Sequence, residues 1–358
     1  MKNDYLWDGT GEPDPELQKL ERALGQFRTK ADAPAFSVHP EALNGRGSNR
    51  IAWAWWMQRL AAALVICVAV ATVAVLAPLH VLKAPAGPGW EVARLEGAPA
   101  VGAKTVENAG GKARLHVGEL LVTDASSRAS VEVAGIGELY VDPGSRVRLL
   151  ETGSNRKRIV VEIGTIHAAI WAPPGEFVVD TPSATAVDLG CAYTLKVAED
   201  GSGTLRTRLG WVGFHQNGHD SFIPAGAMCL TRPKEGPGTP FFEDSPEDFR
   251  VALHGLDFEE LSAPDRSKAL RTVLSQARQR DGFTLWHLLA RVSEEERPMI
   301  YDRLAELVQP PAGTTRDGVL RLNAAMMDTW WNAFGLGDIS VWRFWEQHEP
   351  PVIKKAAS

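Results

Sequence analysis

A twenty-residue apolar stretch limits the folds open to this chain more than any other feature of its sequence. It reads LAAALVICVAVATVAVLAPL, runs from Leu60 to Leu79 and contains no charged residue. At about 1.5 Å of rise per residue, such a helix is about 30 Å long, which matches the hydrocarbon thickness of a bilayer. The tryptophans before it favour the headgroup region and stand at Trp53, Trp55 and Trp56. We therefore predict a transmembrane helix over residues 60–82.

Two other interpretations of the stretch remain open at this point. A cleavable signal peptide is one, and Ala84-Pro85-Ala86 resembles a cleavage site. Signal peptides, however, place their apolar core within roughly the first 15 to 30 residues, and here 59 residues come first. A buried helix of a soluble protein is the other, although such helices are usually shorter.

The charges that flank the stretch predict its orientation. Residues 28–59 carry five basic and two acidic side chains, whereas residues 80–100 carry two of each. Positively charged flanks stay on the cytoplasmic side of a membrane. We therefore predict a single-pass protein of the inner (cytoplasmic) membrane with a cytoplasmic N-terminus. Most of the chain then lies outside the cytoplasm, which is the periplasm in a Gram-negative cell.

Length and charge narrow the class of protein further. At about 150 residues per domain, 358 residues correspond to two or three domains. The 38 basic and 44 acidic side chains give a formal net charge of −6. This balance argues against a broad basic face that grips nucleic acid. We expect contact with a membrane and no direct contact with nucleic acid.

The predicted cytoplasmic segment, residues 1–59, contains one helix signal, over residues 15–28. Asp14 is suited to the N-cap and Pro15 to the first helical position. The apolar side chains of one face recur at helical spacing, at Leu17, Leu20, Leu24 and Phe27. A lone amphipathic helix cannot bury this stripe, so the stripe lies on the membrane, pairs with a second copy or binds a cytoplasmic partner. Residues 31–50 resemble a flexible linker.

From residue 90 to about residue 240 the pattern is that of short strands separated by turns. Residues 130–133 and 138–141 alternate polar with apolar side chains, which is typical of a sheet with one solvated face. The other predicted strands cover residues 146–149, 158–163, 166–171, 177–180, 186–197, 204–216 and 222–230. Their regular spacing without intervening helices predicts a mainly β outer domain, an antiparallel sandwich or roll.

Several segments of this region, taken in order, resemble a FecR-type domain. They are VRLL at 147–150, IVVEIGTIH at 159–167, FVVDTP at 177–182, AVDLGCAYTLKV at 186–197, GWVGF at 210–214 and IPAG at 223–226. The resemblance covers roughly residues 90–235. It implies a membrane-anchored periplasmic signalling protein whose β domain receives a signal from an envelope protein or ligand. It also implies that the cytoplasmic segment controls an alternative sigma factor.

After residue 240 the apolar spacing becomes helical, which predicts an all-α C-terminal module over residues 241–358. Predicted helix faces carry Leu270, Val273, Leu274 and Ala277, and then Leu285, Leu288, Leu289 and Val292. Ser293 and Glu296 form the pattern of a capping box that opens the next helix. Thr315 is expected to cap one long helix with Leu320, Met327, Trp330, Trp331 and Phe334. Trp342, Phe344 and Trp345 either complete a helical core or form a docking face.

Few residues are candidates for catalysis, metal binding or a disulfide. His215 and His219 would face one metal on a helix, but Asn217-Gly218 between them predicts a hairpin turn. We therefore predict a solvated loop with no metal there. Cys191 and Cys229 either pair or remain as buried thiols. No nucleotide-binding or hydrolase motif occurs in the sequence, and we predict no catalytic residue and no cofactor.

Together these observations predict a FecR-like single-pass signal transducer that relays an envelope signal to a cytoplasmic partner. A membrane-anchored envelope scaffold or ligand-binding protein without signalling is the alternative. A third hypothesis, an extracytoplasmic hydrolase, requires acidic or histidine side chains to converge in a cleft.

Overall fold

The computed structural model describes residues 89–106, 111–216 and 218–348. Within these ranges no helix is both long and apolar enough to cross a membrane. The predicted helix over residues 15–28, with its stripe at Leu17, Leu20, Leu24 and Phe27, lies outside them. The predicted span over residues 60–82, from Leu60 to Leu79 and beyond, also lies outside the described residues.

The first part of the described chain forms strands. Their bounds are β1 (Trp90–Glu96), β2 (Ala100–Val101), β3 (Lys104–Thr105), β4 (Lys112–Leu115), β5 (Leu120–Val122), β6 (Arg128–Glu132), β7 (Gly137–Val141), β8 (Arg146–Thr152), β9 (Lys157–Ile170), β10 (Phe177–Asp180), β11 (Thr185–Asp188), β12 (Ala192–Val197), β13 (Gly203–Leu209), β14 (Trp211–Gln216), β15 (His219–Pro224), β16 (Ala227–Arg232), β17 (Gly236–Pro237) and β18 (Phe241–Phe242).

The strands form two sheets that share β9. The first sheet has the order β4-β1-β6-β7-β9-β12-β13-β16, and β17 and β18 both pair with β16. The second has the order β3-β2-β5-β8-β9-β10-β11-β14-β15. Among the described strands, β9 and β10 run parallel and the other pairs are antiparallel. Strand β15 is thus the last strand of the second sheet.

Strand β9 passes from one sheet to the other at Gly164. Residues before Gly164 pair with β8 and β10 in the second sheet, and residues from Gly164 onward pair with β12 in the first. Gly164 has φ +102°, and a Cβ there would overlap Ser145. The bend therefore requires glycine. It places the alternating apolar side chains of β9 between the two sheets, where Ile159, Val161 and Ile166 are fully buried.

The second part of the described chain is helical. Its helices are α1 (Glu247–Phe258), α2 (Ala263–Gln276), a 3₁₀ turn (Gln279–Asp281), α3 (Gly282–Leu289), α4 (Arg297–Leu307), α5 (Arg316–Leu320), α6 (Ala324–Ala333) and α7 (Ile339–His348). The prediction of a mainly β region followed by a helical region is confirmed. All described residues belong to one compact unit, so the helices and the sheets pack as one body.

Several predicted boundaries differ from those observed. The predicted strands over 158–163 and 166–171 are one bent strand, β9. The predicted strand over 186–197 is divided at Gly190, and the one over 204–216 at Gly210, where the backbone has φ +86° and +69°. The predicted strand over 222–230 is interrupted by the turn at residues 225–226. Runs of apolar residues alone do not reveal such turns.

The long helix predicted after Thr315 is wrong. The Thr315 side chain does cap a helix, since it accepts a hydrogen bond from the Gly318 N–H, but α5 ends at Leu320. Leu322 then adopts a left-handed conformation with φ +55°, and Asn323 caps the separate helix α6. The Ser293–Glu296 pair also differs from its prediction, because α4 begins at Arg297, which places Pro298 in its first turn.

Candidate functional site: a cavity between the β15 edge and the helices

The predicted turn between His215 and His219 is the connection between β14 and β15. His215 lies opposite Asp220, and its Nδ1 is 2.7 Å from the Asp220 carboxylate. His219 lies opposite Gln216 and therefore points to the other face of the hairpin. The two imidazoles do not converge, and the described residues contain no group of three or more His, Cys, Asp or Glu suited to a metal. The predicted solvated loop is wrong for His215, whose ring packs 6.4 Å from that of Trp342.

Helix α3 covers the free edge of β15 through His287. The His287 Nε2 accepts a hydrogen bond from the Phe222 N–H at 2.9 Å, and Nδ1–H donates to the Phe283 carbonyl at 2.8 Å. An edge strand otherwise leaves such N–H groups without a partner in the sheet. Both contacts require neutral imidazole with its proton on Nδ1. Burial lowers the pKa of His287 to about 3, so the ring stays neutral at pH 7.

Arg291, one turn beyond His287, also fixes this edge. It donates from Nη1 to the Pro237 carbonyl at 2.8 Å and from Nη2 to Ser221 Oγ at 2.7 Å. A longer bond of 3.3 Å joins Nη2 to the Asp220 carbonyl. The guanidinium therefore connects β15 and β17 to the C-terminal end of α3.

Aromatic packing joins the sheet to three helices, α3, α6 and α7. The ring of Phe222 is the centre of this cluster and is fully buried. Its centroid lies 5.0 Å from that of Trp331, 5.2 Å from Trp342, 5.6 Å from Trp211 and 5.9 Å from Trp286. Offset and edge-to-face aromatic pairs at such distances are favourable. Of the two roles left open for the C-terminal aromatic residues, the core role holds for Trp342 and Trp345, whereas Phe344 is 64% exposed.

Helix α7 packs on the hairpin formed by β14 and β15. The Trp342 Nε1–H donates to the second oxygen of the Asp220 carboxylate at 3.2 Å. The Trp342 ring also lies directly over Gly213 of β14, where a Cβ would overlap the ring atoms. The absence of a side chain at Gly213 is therefore what lets Trp342 approach the strand.

These contacts surround an open cavity of about 360 Å³, hereafter the junctional cavity. Its apolar wall is formed mainly by Phe222, Trp286, Leu322 and Met327. Its polar side chains include Asp220, Arg291 and Arg343. An apolar cavity with a few convergent polar groups, in this range of volume, is the usual form of a small-molecule site.

One wall residue has an unusual backbone. Leu322 is one of two residues other than glycine with positive φ in the described ranges. Its N–H bonds to the Val319 carbonyl, and the Asn323 N–H bonds to the Gly318 carbonyl, so Leu322 occupies the helix C-terminal position that usually holds glycine. Strained residues of this kind cluster at ligand sites. The left-handed conformation of Leu322 turns the chain from α5 into α6 beside the cavity.

A second buried polar group lies inside the β region, away from the cavity. Asp188 accepts hydrogen bonds through Oδ1 from the Gly190 and Cys191 N–H groups, while Oδ2 is buried without a partner among the described atoms. Burial raises the pKa of Asp188 to about 7. It also raises the pKa of the Cys229 thiol to about 12. Cys191 and Cys229 are both buried and unpaired.

The structure brings together residues that sequence patterns treated separately. His287 and Arg291 fell within a predicted helix that was identified only by its apolar face, and their partners on β15 are 65 and 70 residues away. The one available signal was two basic side chains, four residues apart, at the end of an apolar helix.

Comparison with known proteins gives limited similarity. No family model matches the chain, so the FecR resemblance stays a prediction, and no curated protein matches it. Two crystal structures of a "putative anti-sigma factor" from Parabacteroides distasonis ATCC 8503, at 1.65 and 2.50 Å resolution, are weakly similar. Each has 16% identity and a TM-score of 0.31 over 37% of this chain. The chain spans 63% and 62% of the length of those two chains.

Proposed function

We propose that this protein is a single-pass membrane signal transducer that senses an envelope signal and regulates a cytoplasmic partner, an alternative sigma factor. The observation that carries the proposal is the position of the junctional cavity. Its wall is shared by β15 and by residues of α3, α6 and α7. A molecule bound there contacts both the sheet and the helices.

Such a position suits a sensor because binding can change the balance between arrangements of the helices on the sheet. A ligand shifts a conformational equilibrium only through its different affinities for the states. The helices are held on the hairpin by a few localised contacts, among them the bonds from His287 to Phe222 and from Trp342 to Asp220. Occupation of the cavity acts directly on these contacts.

The route to the cytoplasm follows from the sequence. The apolar stretch from Leu60 to Leu79 supports a membrane helix, and the segment before it carries the amphipathic stripe. In this proposal the stripe at Leu17, Leu20, Leu24 and Phe27 binds the cytoplasmic partner. Occupation of the outer unit then changes how accessible the stripe is.

A membrane-anchored scaffold without signalling is the second candidate. It is favoured by exposed aromatic side chains, since Trp171 is 75% exposed and Phe344 lies on the outer face of α7. Large exposed aromatics are common where proteins dock on one another. In this case the membrane helix serves as an anchor only.

Deletion of residues 1–45 with the predicted span retained separates the two candidates. Full-length and shortened chains are captured from solubilised membranes, and bound proteins are identified by mass spectrometry. The proposal predicts a sigma factor on the full-length chain and its loss from the shortened one. Equal partners on both chains, with no sigma factor on either, would establish the scaffold instead.

A further inference from the structure

The chemistry of the junctional cavity is set by the positive charge of Arg291. All three of its hydrogen bonds go to uncharged oxygen atoms. These are the backbone carbonyls of Pro237 and Asp220 and the hydroxyl of Ser221. Across the described ranges, no carboxylate oxygen lies within 4.0 Å of its guanidinium. A half-buried cation with no carboxylate at ion-pair distance favours an anionic ligand.

Other charged groups around the cavity already have partners. The Arg343 guanidinium is 2.9 Å from Asp328 and 3.0 Å from Glu346. The Asp220 carboxylate interacts through one oxygen with His215 and through the other with Trp342. The charge of Arg343 is therefore matched by two carboxylates, and both oxygens of the Asp220 carboxylate are already hydrogen-bonded.

The buried carboxyl of Asp257 on α1 is the remaining candidate counter-ion for Arg291. It acts on Arg291 electrostatically from beyond ion-pair distance. Both of its oxygens accept hydrogen bonds at 2.7 Å from Thr239, one from the backbone N–H and one from the hydroxyl. Burial raises the pKa of Asp257, whereas the positive charge of Arg291 lowers it. Asp257 thus leaves Arg291 available to an anion in the cavity.

The apolar part of the cavity wall determines which kind of uncharged group the ligand can carry. Trp286 is held in place by its Nε1–H bond to the Met327 carbonyl at 2.9 Å, so the indole is a fixed surface. The Met327 side chain completes the apolar wall, and the buried ring of Phe222 lies behind it. Flat apolar groups pack well on such surfaces, and a methionine adapts to irregular ones. A volume of about 360 Å³ holds a small molecule.

We infer that the junctional cavity binds a small organic anion with a flat apolar body, its carboxylate or sulfonate paired with Arg291. This inference rests on the proposed function in one respect, namely that the cavity is the sensing site. It adds the chemical class of the signal molecule.

The test uses two probes that share one ring system and differ in the charge of the head group. Naphthalene-2-sulfonate carries the anion, and naphthalene-2-sulfonamide has the same ring with an uncharged head group. Each is titrated calorimetrically into the full chain in lipid nanodiscs, with empty nanodiscs as the blank. We expect saturable binding of the sulfonate at one site per chain and binding of the sulfonamide at least about tenfold weaker.

Two variants locate the site. Arg291→Gln retains hydrogen-bond donors but removes the charge. Ala290 lines the mouth of the cavity and is exposed, so Ala290→Glu adds a negative charge there without disturbing buried contacts, and Ala290→Gln is its matched control. We expect Arg291→Gln and Ala290→Glu to weaken sulfonate binding by on the order of tenfold and Ala290→Gln to leave it unchanged. Neither Ala290 variant should alter binding of the sulfonamide.

Equal affinities for the two probes, or sulfonate binding that Ala290→Glu leaves unchanged, would overturn the inference. The Ala290 pair keeps the test decisive even if Arg291→Gln fails to fold. None of these titrations measures signalling or sigma-factor capture. Failure of anion binding is therefore distinct from failure of the proposed function, which the deletion of residues 1–45 tests.

Discussion

The imidazole of His287 accepts the Phe222 N–H at 2.9 Å and so closes the edge of the second sheet with a helix. This bond joins residues that are 65 positions apart in the chain. It also makes the contact between β15 and α3 dependent on an uncharged ring. The stability of the contact between β15 and α3 should therefore depend on pH.

The first prediction concerns pH. His287 has a pKa of about 3 in the folded protein and an ordinary value of 6.5. Between these values the unfolded chain binds more protons, so the free energy of unfolding falls as pH is lowered through this range. At pH 5 the loss from this group is about 2 kcal/mol.

Denaturant titrations of the full chain in nanodiscs, at pH 7.5 and pH 5, measure this loss by tryptophan fluorescence. His287→Gln cannot titrate, so the variant is less stable at pH 7.5 but loses about 2 kcal/mol less on acidification than the parent. An identical loss in both proteins would show that His287 is not the responsible group.

The second prediction concerns Asp188, which should make the protein less stable as pH rises, the reverse of the effect of His287. The pKa of Asp188 is about 7 in the folded protein, raised by burial from an ordinary value of 3.8. The folded state therefore binds more protons between these values, and stability falls as pH rises from about 4 to about 7. For the parent protein the expected fall in the free energy of unfolding is on the order of 2–3 kcal/mol between pH 5 and pH 8. Asp188→Asn retains Oδ1 as acceptor for the Gly190 and Cys191 N–H groups, and it should remove this fall. Thermal melts at these two pH values check it, and unchanged pH dependence in the variant would contradict it.

The third prediction concerns Leu322. In an ordinary helix position alanine is more stable than glycine by about 1 kcal/mol. At φ +55° the order should reverse, because glycine adopts this conformation without the penalty of about 1 kcal/mol. Leu322→Gly should therefore unfold at a higher denaturant concentration than Leu322→Ala. The opposite order would show that the left-handed backbone carries no strain.

The fourth prediction concerns the docking of α7. Gly213→Ala places a methyl group where the Trp342 ring lies, and should lower the free energy of unfolding by about 1–3 kcal/mol. Hydrogen exchange measured by mass spectrometry should show faster exchange in α7. Gly153→Ala is the control, since its new methyl meets only one ordinary contact, and it should change stability by less than about 1 kcal/mol. Unchanged protection of α7 in Gly213→Ala would contradict the assigned contact.

How far the sequence predicts this structure depends on whether the responsible contacts are local. Alternation over residues 138–141 located β7 to within one residue, because period-two burial is a local property. The bend of β9 was missed, because the need for glycine at Gly164 comes from Ser145, which lies just before β8 and is distant in sequence. The long helix after Thr315 failed because nothing in the pattern marks a leucine as left-handed.

The junctional cavity was missed for the same reason. Its wall combines Phe222 of β15 with Trp286 of α3 and Met327 of α6. Of these side chains only Met327 was named on a predicted helix face; Phe222 began a predicted strand and Trp286 was not singled out, and all three are buried. Which faces meet, and the space left between them, depends on how the helices pack on the sheet.

The central claim is that the two ends of the chain face different aqueous compartments. The most direct test labels single cysteines in spheroplasts with a membrane-impermeant maleimide, in a Cys67→Ala background; Cys191 and Cys229 stay in place because they are buried. With this topology, Phe344→Cys is expected to react in intact spheroplasts and Leu24→Cys only after lysis. Equal reaction of both positions before lysis, or of neither, would contradict it.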